Sequence, residues 1–247
     1  MKNLYLSLSS LVYDFTKPPG TSIDGDIEFY KKELIPLEGK ILELGCGNGR
    51  LSIPLIKYNV DIVGIDLSKD MQSLYENNIS INNLKGNYIN NNIFDLTTND
   101  KFNHIIAPNG FINLINKSLI NKLFIKINSI LKLGGKLIID LIYPIYYKEG
   151  IINTNEYHIN DDIIKVENIS KSINFIEQKT LNIIKYYRND NIEEVQNMEL
   201  NWYCRYEIIK YLEDNGFNIT QVFWNFKKQY VSNFNTLTII SIKKEGL

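Results

Sequence analysis

The chain has 247 residues, of which 44% are hydrophobic, and this is enough to bury one large core, with room for an inserted subdomain. Its formal net charge is −1, whereas a dedicated nucleic-acid groove normally shows an excess of basic residues, so we expect no nucleic-acid partner. No apolar run approaches the length of a transmembrane helix, so we expect no membrane partner either.

Cysteine and histidine usage points to a reducing compartment and to a site without metal. Cys46 and Cys204 lie far apart in the sequence, and Cys46 falls inside a glycine-rich loop, which disfavours a disulfide and fits a cytoplasmic location. The only histidines are His104 and His158, and neither belongs to a metal-binding motif, so we expect no metal.

Two helices are predicted before the first strand, roughly over residues 3–14 and 24–35. The first has one apolar face, which suits a helix that covers a site, and this face carries Leu4, Leu8 and Leu11. Pro36 then ends the second helix.

A nucleotide-type cofactor site is predicted where the first strand runs into three glycines. This short apolar strand is followed by Gly45, Gly47 and Gly49, and the next apolar run ends in Asp66. Glycines let the backbone turn sharply and approach a ligand, and an acid after the second strand can hold ribose hydroxyls. The spacing G-x-G-x-G is one residue shorter than that of dinucleotide sites, and Glu43 beside it suits a positively charged ligand better than a pyrophosphate.

The pattern up to residue 142 alternates strands and helices, which predicts a parallel, doubly wound sheet with helices on both faces. Its ligand crevice should lie at the carboxyl ends of the strands, where the strand order reverses. The predicted strands lie near 40–44, 61–65, 86–90, 102–107 and 136–142, and the predicted helices near 49–58, 69–78 and 117–131.

Residues 150–203 break this rhythm, because short segments alternate apolar and polar residues between turn-prone positions. The pattern is typical of an antiparallel sheet with one solvated face. A helix over 207–215 and strands near 217–226 and 235–243 then complete the fold.

We therefore expect an α/β protein with an antiparallel β insertion after the fifth strand. Its predicted parts are N-terminal helices over 1–35 that cover the active site, a cofactor-binding domain over 36–149 and 204–247, and the insertion over 150–203 as a substrate cover.

The block Glu43-Leu-Gly-Cys-Gly-Asn-Gly-Arg50 and the block Val63-Gly-Ile-Asp-Leu-Ser-Lys-Asp-Met71 resemble the first two motifs of class I S-adenosylmethionine-dependent methyltransferases. The resemblance covers residues 36–142. It implies a Rossmann-like, mostly parallel sheet of seven strands, S-adenosyl-L-methionine as cofactor and S-adenosyl-L-homocysteine as product. It also implies a set of cofactor-contacting residues, namely Glu43, Gly45, Cys46, Gly47, Gly49, Asp66, Leu67, Met71, Asn90, Asn91 and Ala107.

Within this family, the resemblance implies that Glu43 lies near the cofactor's amino group, that Asp66 holds both ribose hydroxyls, and that Leu67 and Met71 flank the adenine. The third strand of such enzymes usually ends in an acid. Here Asn90 takes that place, and Asp95 is the alternative contact to the adenine.

The N-terminal Tyr13-Asp14, the predicted insertion and the stretch Trp202–Tyr206 resemble small-molecule N-methyltransferases of the amino-sugar N,N-dimethyltransferase and glycine/sarcosine types. The resemblance implies a small-molecule substrate with an amine nitrogen as acceptor, and a monomer or homodimer. The candidate catalytic residues are Tyr13, Asn109 and His158, and the candidate substrate residues are Phe111, Tyr143 and Arg205.

Four other interpretations stay open at this point. A small-molecule hydroxyl is the second choice of acceptor, although a hydroxyl normally needs a general base or a metal. A peptide or protein terminus is chemically another amine, and a non-catalytic cofactor-binding module would retain the same glycine loop. An NAD-linked oxidoreductase is disfavoured by the glycine spacing.

Overall fold

The structure is a computed structural model that describes residues 5–245. Leu4 and the start of the first predicted helix therefore lie outside the described residues. The described chain forms a seven-stranded sheet, a separate four-stranded sheet and the helices packed on them. No helix in this part of the chain is long and apolar enough to cross a bilayer.

The helices follow the predicted order, with shifted ends. They are α1 (Ser7–Thr16), α2 (Asp26–Leu34), α3 (Ser52–Ile56), α4 (Lys69–Ile81), α5 (Ile120–Ile130) and α6 (Arg205–Asp214), with short 3-10 helices at Phe111–Leu114 and Lys117–Leu119. Helix α3 is shorter than predicted because the glycine loop continues to its first turn. There the Asn48 side chain accepts the backbone N–H of Arg50 at 3.1 Å.

The seven-stranded sheet has the order β10-β11-β5-β4-β1-β2-β3, and only β11 runs antiparallel to its neighbours. This confirms the predicted Rossmann-like, mostly parallel sheet. Its strands are β1 (Ile41–Leu44), β2 (Ile62–Asp66), β3 (Asn87–Asn90), β4 (Phe102–Ala107), β5 (Leu131–Ile142), β10 (Phe217–Trp224) and β11 (Thr236–Lys243).

Strand β5 begins earlier than predicted. Leu131 already pairs with Phe102 of β4, residues 132–135 then loop out, and pairing resumes between Lys136 and His104. Gly134, with φ +72°, permits this excursion.

The strand order reverses between β1 and β4, which lie side by side although β2 and β3 separate them in sequence. Their carboxyl ends therefore form a crevice. Apolar side chains of β1, β4 and β5 pack in buried clusters on both faces of the sheet. The polar residues at the ends of these strands are therefore held by a well-packed core.

The four-stranded sheet lies in the chain between β5 and α6, is antiparallel throughout and follows sequence order. It consists of β6 (Ile152–Ile159), β7 (Asp162–Asn174), β8 (Lys179–Arg188) and β9 (Asn191–Asn201). Two of the segments read as separate in the sequence, around 163–167 and 172–177, belong largely to the single strand β7. Helix α1 packs on this sheet through Leu8 and Val12, which share a core with Ile164 and Ile184.

Candidate functional site

A cavity of about 310 Å³ opens at the carboxyl ends of β1, β2 and β4. One side, the glycine-loop half, is lined by Glu43, Gly45, Cys46, Gly47, Arg50, Leu51, Ile65, Asp66, Leu67, Met71, Asn91, Asn92 and Ile93. The other side, the β9 half, is lined by Pro108, Asn109, Gly110, Phe111, Asn113, Leu114, Ile142, Gln196, Met198 and Leu200. Three residues on or next to α1 complete the lining, namely Tyr5, Tyr13 and Lys17. We call this part of the cavity wall the α1 roof.

The glycine loop has little room for side chains. Gly45 has φ +71°, and a Cβ there would lie 2.7 Å from Cδ2 of Phe111. Gly49 does not line the cavity. Its bare Cα instead allows Ile53 and Tyr75 to pack closely, since a Cβ would lie 2.7 and 2.8 Å from their atoms. The third glycine of the motif therefore serves helix packing, and the first lies at the cavity.

Cys46 lines the cavity but is held in the protein interior. It packs so tightly on β2 that a Cβ at Gly64 would lie 2.4 Å from its Sγ. Burial raises the pKa of the Cys46 thiol well above its usual range, so the thiol stays protonated and is a poor nucleophile.

Glu43 is the most unusual polar group of the site. Its side chain sits on β1 with 2% exposure, and its Oε2 has no hydrogen-bond partner among the described residues. Burial raises the pKa of this carboxyl to about 8. The Ser52 hydroxyl and the charge of Arg50 offset this rise in pKa in part. A buried carboxyl oxygen without a hydrogen-bond partner is costly when the group is ionised, so Oε2 suits a cationic ligand that enters the cavity.

Asp66 ends β2 and is fixed by the backbone on both sides. Its Oδ2 accepts the N–H of Gly47 at 3.1 Å, and its Oδ1 accepts the N–H of Ser68 at 3.0 Å. Burial raises the pKa of this carboxyl, while the backbone donors counteract the rise. Both oxygens keep a lone pair for a further donor, which is the chemistry that a ribose diol requires.

The loop after β3 brings Asn91, rather than Asn90, to the cavity. Asn90 is exposed, and its amide donates to the carbonyl of Asp66 at 3.2 Å. Asp95 is also exposed and does not line the cavity. Between Leu67 and Ile93, the described residues that offer polar side chains to the cavity are therefore Asn91 and its neighbour Asn92.

The α1 roof is tied to the rest of the molecule at three points. Ser68 donates to the carbonyl of Tyr5 at 2.7 Å, and the Asp14 carboxylate accepts amide hydrogens of Asn48 and Asn78 at 2.7 and 2.8 Å. The buried carboxylate of Glu194, on β9, accepts the Ser9 N–H at 2.9 Å. Tyr5 and Tyr13, whose rings meet edge to face at 5.3 Å, thus lie over the cavity.

Among the described residues, two cations reach the cavity, and both lie where the roof meets the glycine loop. Arg50 is buried in a bidentate ion pair with Asp26 of α2 and also donates to the carbonyl of Thr21 at 2.7 Å. Lys17 has no ion pair within residues 5–245. Burial and then the charge of Arg50 lower its pKa.

Strand β9 presents one face to the cavity with the period of two expected of a strand. Gln196, Met198 and Leu200 lie on this face, and Glu194 continues it beneath α1. The Gln196 amide nitrogen donates to Ser9 Oγ at 2.8 Å and to Glu194 Oε1 at 2.6 Å, so both of its hydrogens are used.

The turn after β4 brings Asn109 and Phe111 to the cavity. Asn109 has φ +51°, an uncommon backbone conformation for a residue with a side chain, and its N–H donates to Oδ2 of the buried Asp140 at 3.0 Å. Nearby, Asn113 donates to the carbonyls of Ile142 and Asn201 at 2.8 and 2.7 Å, and so ties β5 to β9.

Besides Gly49 and Asn90, four predicted site residues do not line the cavity. Ala107 is fully buried at the end of β4, and the Tyr143 hydroxyl donates to the Tyr203 carbonyl at 2.7 Å. Arg205 lies on the surface over the ring of Trp224, 5.5 Å from its centroid. His158 is on the outer strand β6 with 74% of its side chain exposed, so this placement argues against the role of a base.

Several lining residues were not singled out from the sequence. The sequence indicates a strand through Gln196, Met198 and Leu200. It does not indicate which face of this strand meets the cavity, because that depends on how the sheet packs against α1. Lys17 and Arg50 carry no local signal for a ligand. Asp140, which does not line the cavity, lies within the strand predicted near 136–142, and nothing in the sequence marks it as a positioning residue.

Residues 41–135 match a family model described as a methyltransferase domain. Over 209 residues the chain is 23% identical to a Geobacillus sp. (strain WCH70) protein that bears the provisional name of a methyltransferase, and the match covers 83% of this chain and 84% of that protein.

Solved structures with the same fold cover nearly the whole chain. An S-adenosylmethionine-dependent methyltransferase from Clostridium acetobutylicum ATCC 824 aligns with a TM-score of 0.74 at 21% identity, over 95% of this chain and 97% of that one. The sugar N-methyltransferase KedS8 from Streptoalloteichus sp. ATCC 53650 aligns with a TM-score of 0.73 at 15% identity, over 95% and 92%.

These matches confirm the class I fold and the activity that the two sequence motifs imply. The chain is an S-adenosylmethionine-dependent methyltransferase, with S-adenosyl-L-methionine as its cofactor. The orphan carboxyl oxygen of Glu43 and the free lone pairs of Asp66 fit the ammonium and ribose groups of that cofactor.

Proposed function

We propose that this enzyme methylates an amine nitrogen of a small molecule. The observation that carries the proposal is the lack of a base in the β9 half: none of the described residues that line it carries an acidic side chain or an imidazole. A neutral amine already has a nucleophilic lone pair: its nitrogen bonds to the methyl carbon as the sulfur–methyl bond breaks, and the methylated ammonium product can then lose its proton to water. A hydroxyl needs a general base to become a comparable nucleophile. KedS8, a sugar N-methyltransferase, shares the fold, and this supports a nitrogen acceptor.

In this proposal the glycine-loop half holds the cofactor. Glu43 accepts the ammonium group, Asp66 the ribose hydroxyls, and Asn91 or Asn92 contacts the adenine between Leu67 and Met71. Lys17 and Arg50, at the junction with the α1 roof, would hold the carboxylate. Predicted contacts to Gly49, Asn90 and Ala107 are not part of this arrangement.

When bound, the cofactor supplies a methyl group made electrophilic by the sulfonium. The residues of the chain have to orient the acceptor and exclude water. Asn109 orients the amine through its side-chain oxygen, Phe111 and the aliphatic side chains of the β9 half exclude water, and Tyr13 closes the cavity from above. The α1 roof and the four-stranded sheet act as the substrate cover.

The test uses methyl-labelled S-adenosylmethionine, the purified protein and a fractionated cell extract. Label on nitrogen in the small-molecule fraction is the expected result. Label on oxygen, or in protein or nucleic acid, would overturn the proposal. Asp66→Ala serves as the control, because transfer by this enzyme should fall with the loss of the ribose contacts.

A further inference from the structure

The β9 half is an apolar chamber in which few side-chain polar groups remain free to hydrogen-bond a ligand. Its walls are formed by six apolar side chains, namely Pro108, Phe111, Leu114, Ile142, Met198 and Leu200. Such walls favour apolar surface and penalise polar groups that lose their water without gaining a partner.

Three carboxamides line the same half, and two of them already use both amide hydrogens. The Asn113 amide nitrogen donates to two backbone carbonyls, and its oxygen accepts the Ile142 N–H at 2.9 Å. The Gln196 amide nitrogen donates to Ser9 and Glu194. The Asn109 side chain makes no hydrogen bond to any described residue, so it remains available to a ligand.

In the part of the chain that the structure describes, the cationic side chains of the cavity lie outside the β9 half. Among these described lining residues, Lys17 and Arg50 are the only cations, Arg50 is already paired with Asp26, and both lie where the roof meets the glycine loop. A phosphate or sulfate placed in the β9 half would therefore be buried without a counter-charge, which is strongly unfavourable.

Resting on the proposed amine methylation, we propose that the acceptor is an amine with an apolar body, and that it carries neither a phosphate nor several hydroxyls on the part that enters the cavity. The amine enters the chamber in its neutral form, because an ammonium ion would be buried there without a counter-charge just as an anion would. The oxygen of Asn109 then accepts an amine N–H, and the alkyl or aryl body packs against Phe111, Met198 and Leu200. The structure thus favours an alkylamine or arylalkylamine over an amino sugar or a nucleotide-linked amine.

The test measures binding of four probes to the protein saturated with S-adenosylhomocysteine, by isothermal titration calorimetry. The probes are hexylamine, tyramine, O-phosphotyramine and glucosamine. Hexylamine and tyramine should bind at least tenfold more tightly than the other two. Equal or tighter binding of O-phosphotyramine or glucosamine, or no binding of hexylamine and tyramine, would overturn the inference.

A charge placed in the chamber provides a second readout. Leu200→Arg should reduce the preference for tyramine over O-phosphotyramine by at least tenfold. Val195→Arg is the matched control, because Val195 lies on the same strand but is 53% exposed and outside the cavity lining, and it should leave the preference unchanged. An unchanged preference in Leu200→Arg would contradict the assignment of this wall.

Methyl transfer to the bound probe separates this inference from the proposed function. If labelled S-adenosylmethionine methylates the nitrogen of tyramine, both stand. If tyramine binds tightly but gains no methyl group on nitrogen, the recognition holds and the proposed amine methylation fails. If only O-phosphotyramine or glucosamine is N-methylated, the proposed function holds and the apolar acceptor is wrong.

Discussion

The buried carboxylate of Asp140 is hydrogen-bonded to the backbone N–H of Asn109, at 3.0 Å, directly behind the cavity wall. The same carboxylate accepts the hydroxyls of Tyr30 at 2.9 Å and Thr238 at 2.6 Å. It thereby joins α2, the turn after β4 and β11, and it holds Asn109 in its left-handed conformation. Asp140 does not line the cavity, so we regard it as a positioning residue.

Asp140→Asn should impair catalysis more than cofactor binding. The substituted amide offers one acceptor oxygen where the carboxylate offers two, so the Asn109 N–H and the Tyr30 and Thr238 hydroxyls compete for it, and each lost hydrogen bond to a charged acceptor costs about 1.5–3 kcal/mol. We expect kcat for labelled methyl transfer to fall about tenfold or more, while the Kd for S-adenosylhomocysteine changes less than about threefold, because Asn109 lies outside the glycine-loop half.

Thr238→Val is the control for this substitution, since it removes one donor to Asp140 and leaves the Asn109 bond in place. It should lower stability with little change in kcat. If the two variants lowered kcat equally at equal stability, Asp140 would have only a structural role.

Glu43→Gln should weaken cofactor binding while leaving the fold intact. The buried oxygen of Glu43 lacks a partner, so an ammonium group in the cavity would form a charge-assisted hydrogen bond there. Removing the charge should raise the Kd of S-adenosylhomocysteine about 10- to 100-fold, as measured by calorimetry. An unchanged Kd would show that the amino group of the cofactor lies elsewhere.

The same carboxyl makes the stability of the ligand-free enzyme depend on pH. Its pKa is about 8 in the folded chain and near 4.3 when the chain unfolds. Between these values the folded state binds more protons than the unfolded state, so the free energy of unfolding falls as pH rises through this window. Glu43→Gln should remove the fall, on the order of 2 to 5 kcal/mol, and should thus be more stable than wild type at pH 8.

Urea denaturation at pH 5.5, 7 and 8.5 checks this prediction. A wild-type enzyme whose stability, relative to Glu43→Gln, does not decline across these pH values would contradict the raised pKa. With ligand present the trend should weaken, because an ammonium partner stabilises the ionised carboxylate.

The sequence allowed the sheet and the glycine-loop half to be predicted because their signals are local. Glu43, the glycines and Asp66 lie within a single strand–turn–helix–strand unit, in which spacing along the chain fixes proximity in space. The β9 half has no such unit. Its walls come from the turn after β4, the end of β5 and the distant strand β9, and only the packing of a second sheet brings them together.

His158 illustrates the limit of residue chemistry as a guide. An imidazole in a predicted cover suggested a base, yet alternation along an edge strand directed it to solvent, beside Glu156 at 3.7 Å. Asn90 illustrates the limit of motif position, since the chain turns one residue later than the family pattern implies and brings Asn91 to the cavity.

Gly45→Ala should impair the site through Phe111 rather than through backbone strain. Gly45 and Gly134 have nearly the same φ, +71° and +72°, so an alanine at either position introduces a similar strain of about 1–2 kcal/mol. At Gly45 the new Cβ would lie 2.7 Å from the Phe111 ring, whereas at Gly134 it would meet no atom within 4 Å. Gly134→Ala is therefore a matched control for the backbone strain, and Gly45→Ala should lose at least as much stability in thermal denaturation. Only Gly45→Ala should displace Phe111 into the cavity and lower labelled methyl transfer, by about tenfold, and equal activity of the two variants would show that Phe111 adapts without consequence for the reaction.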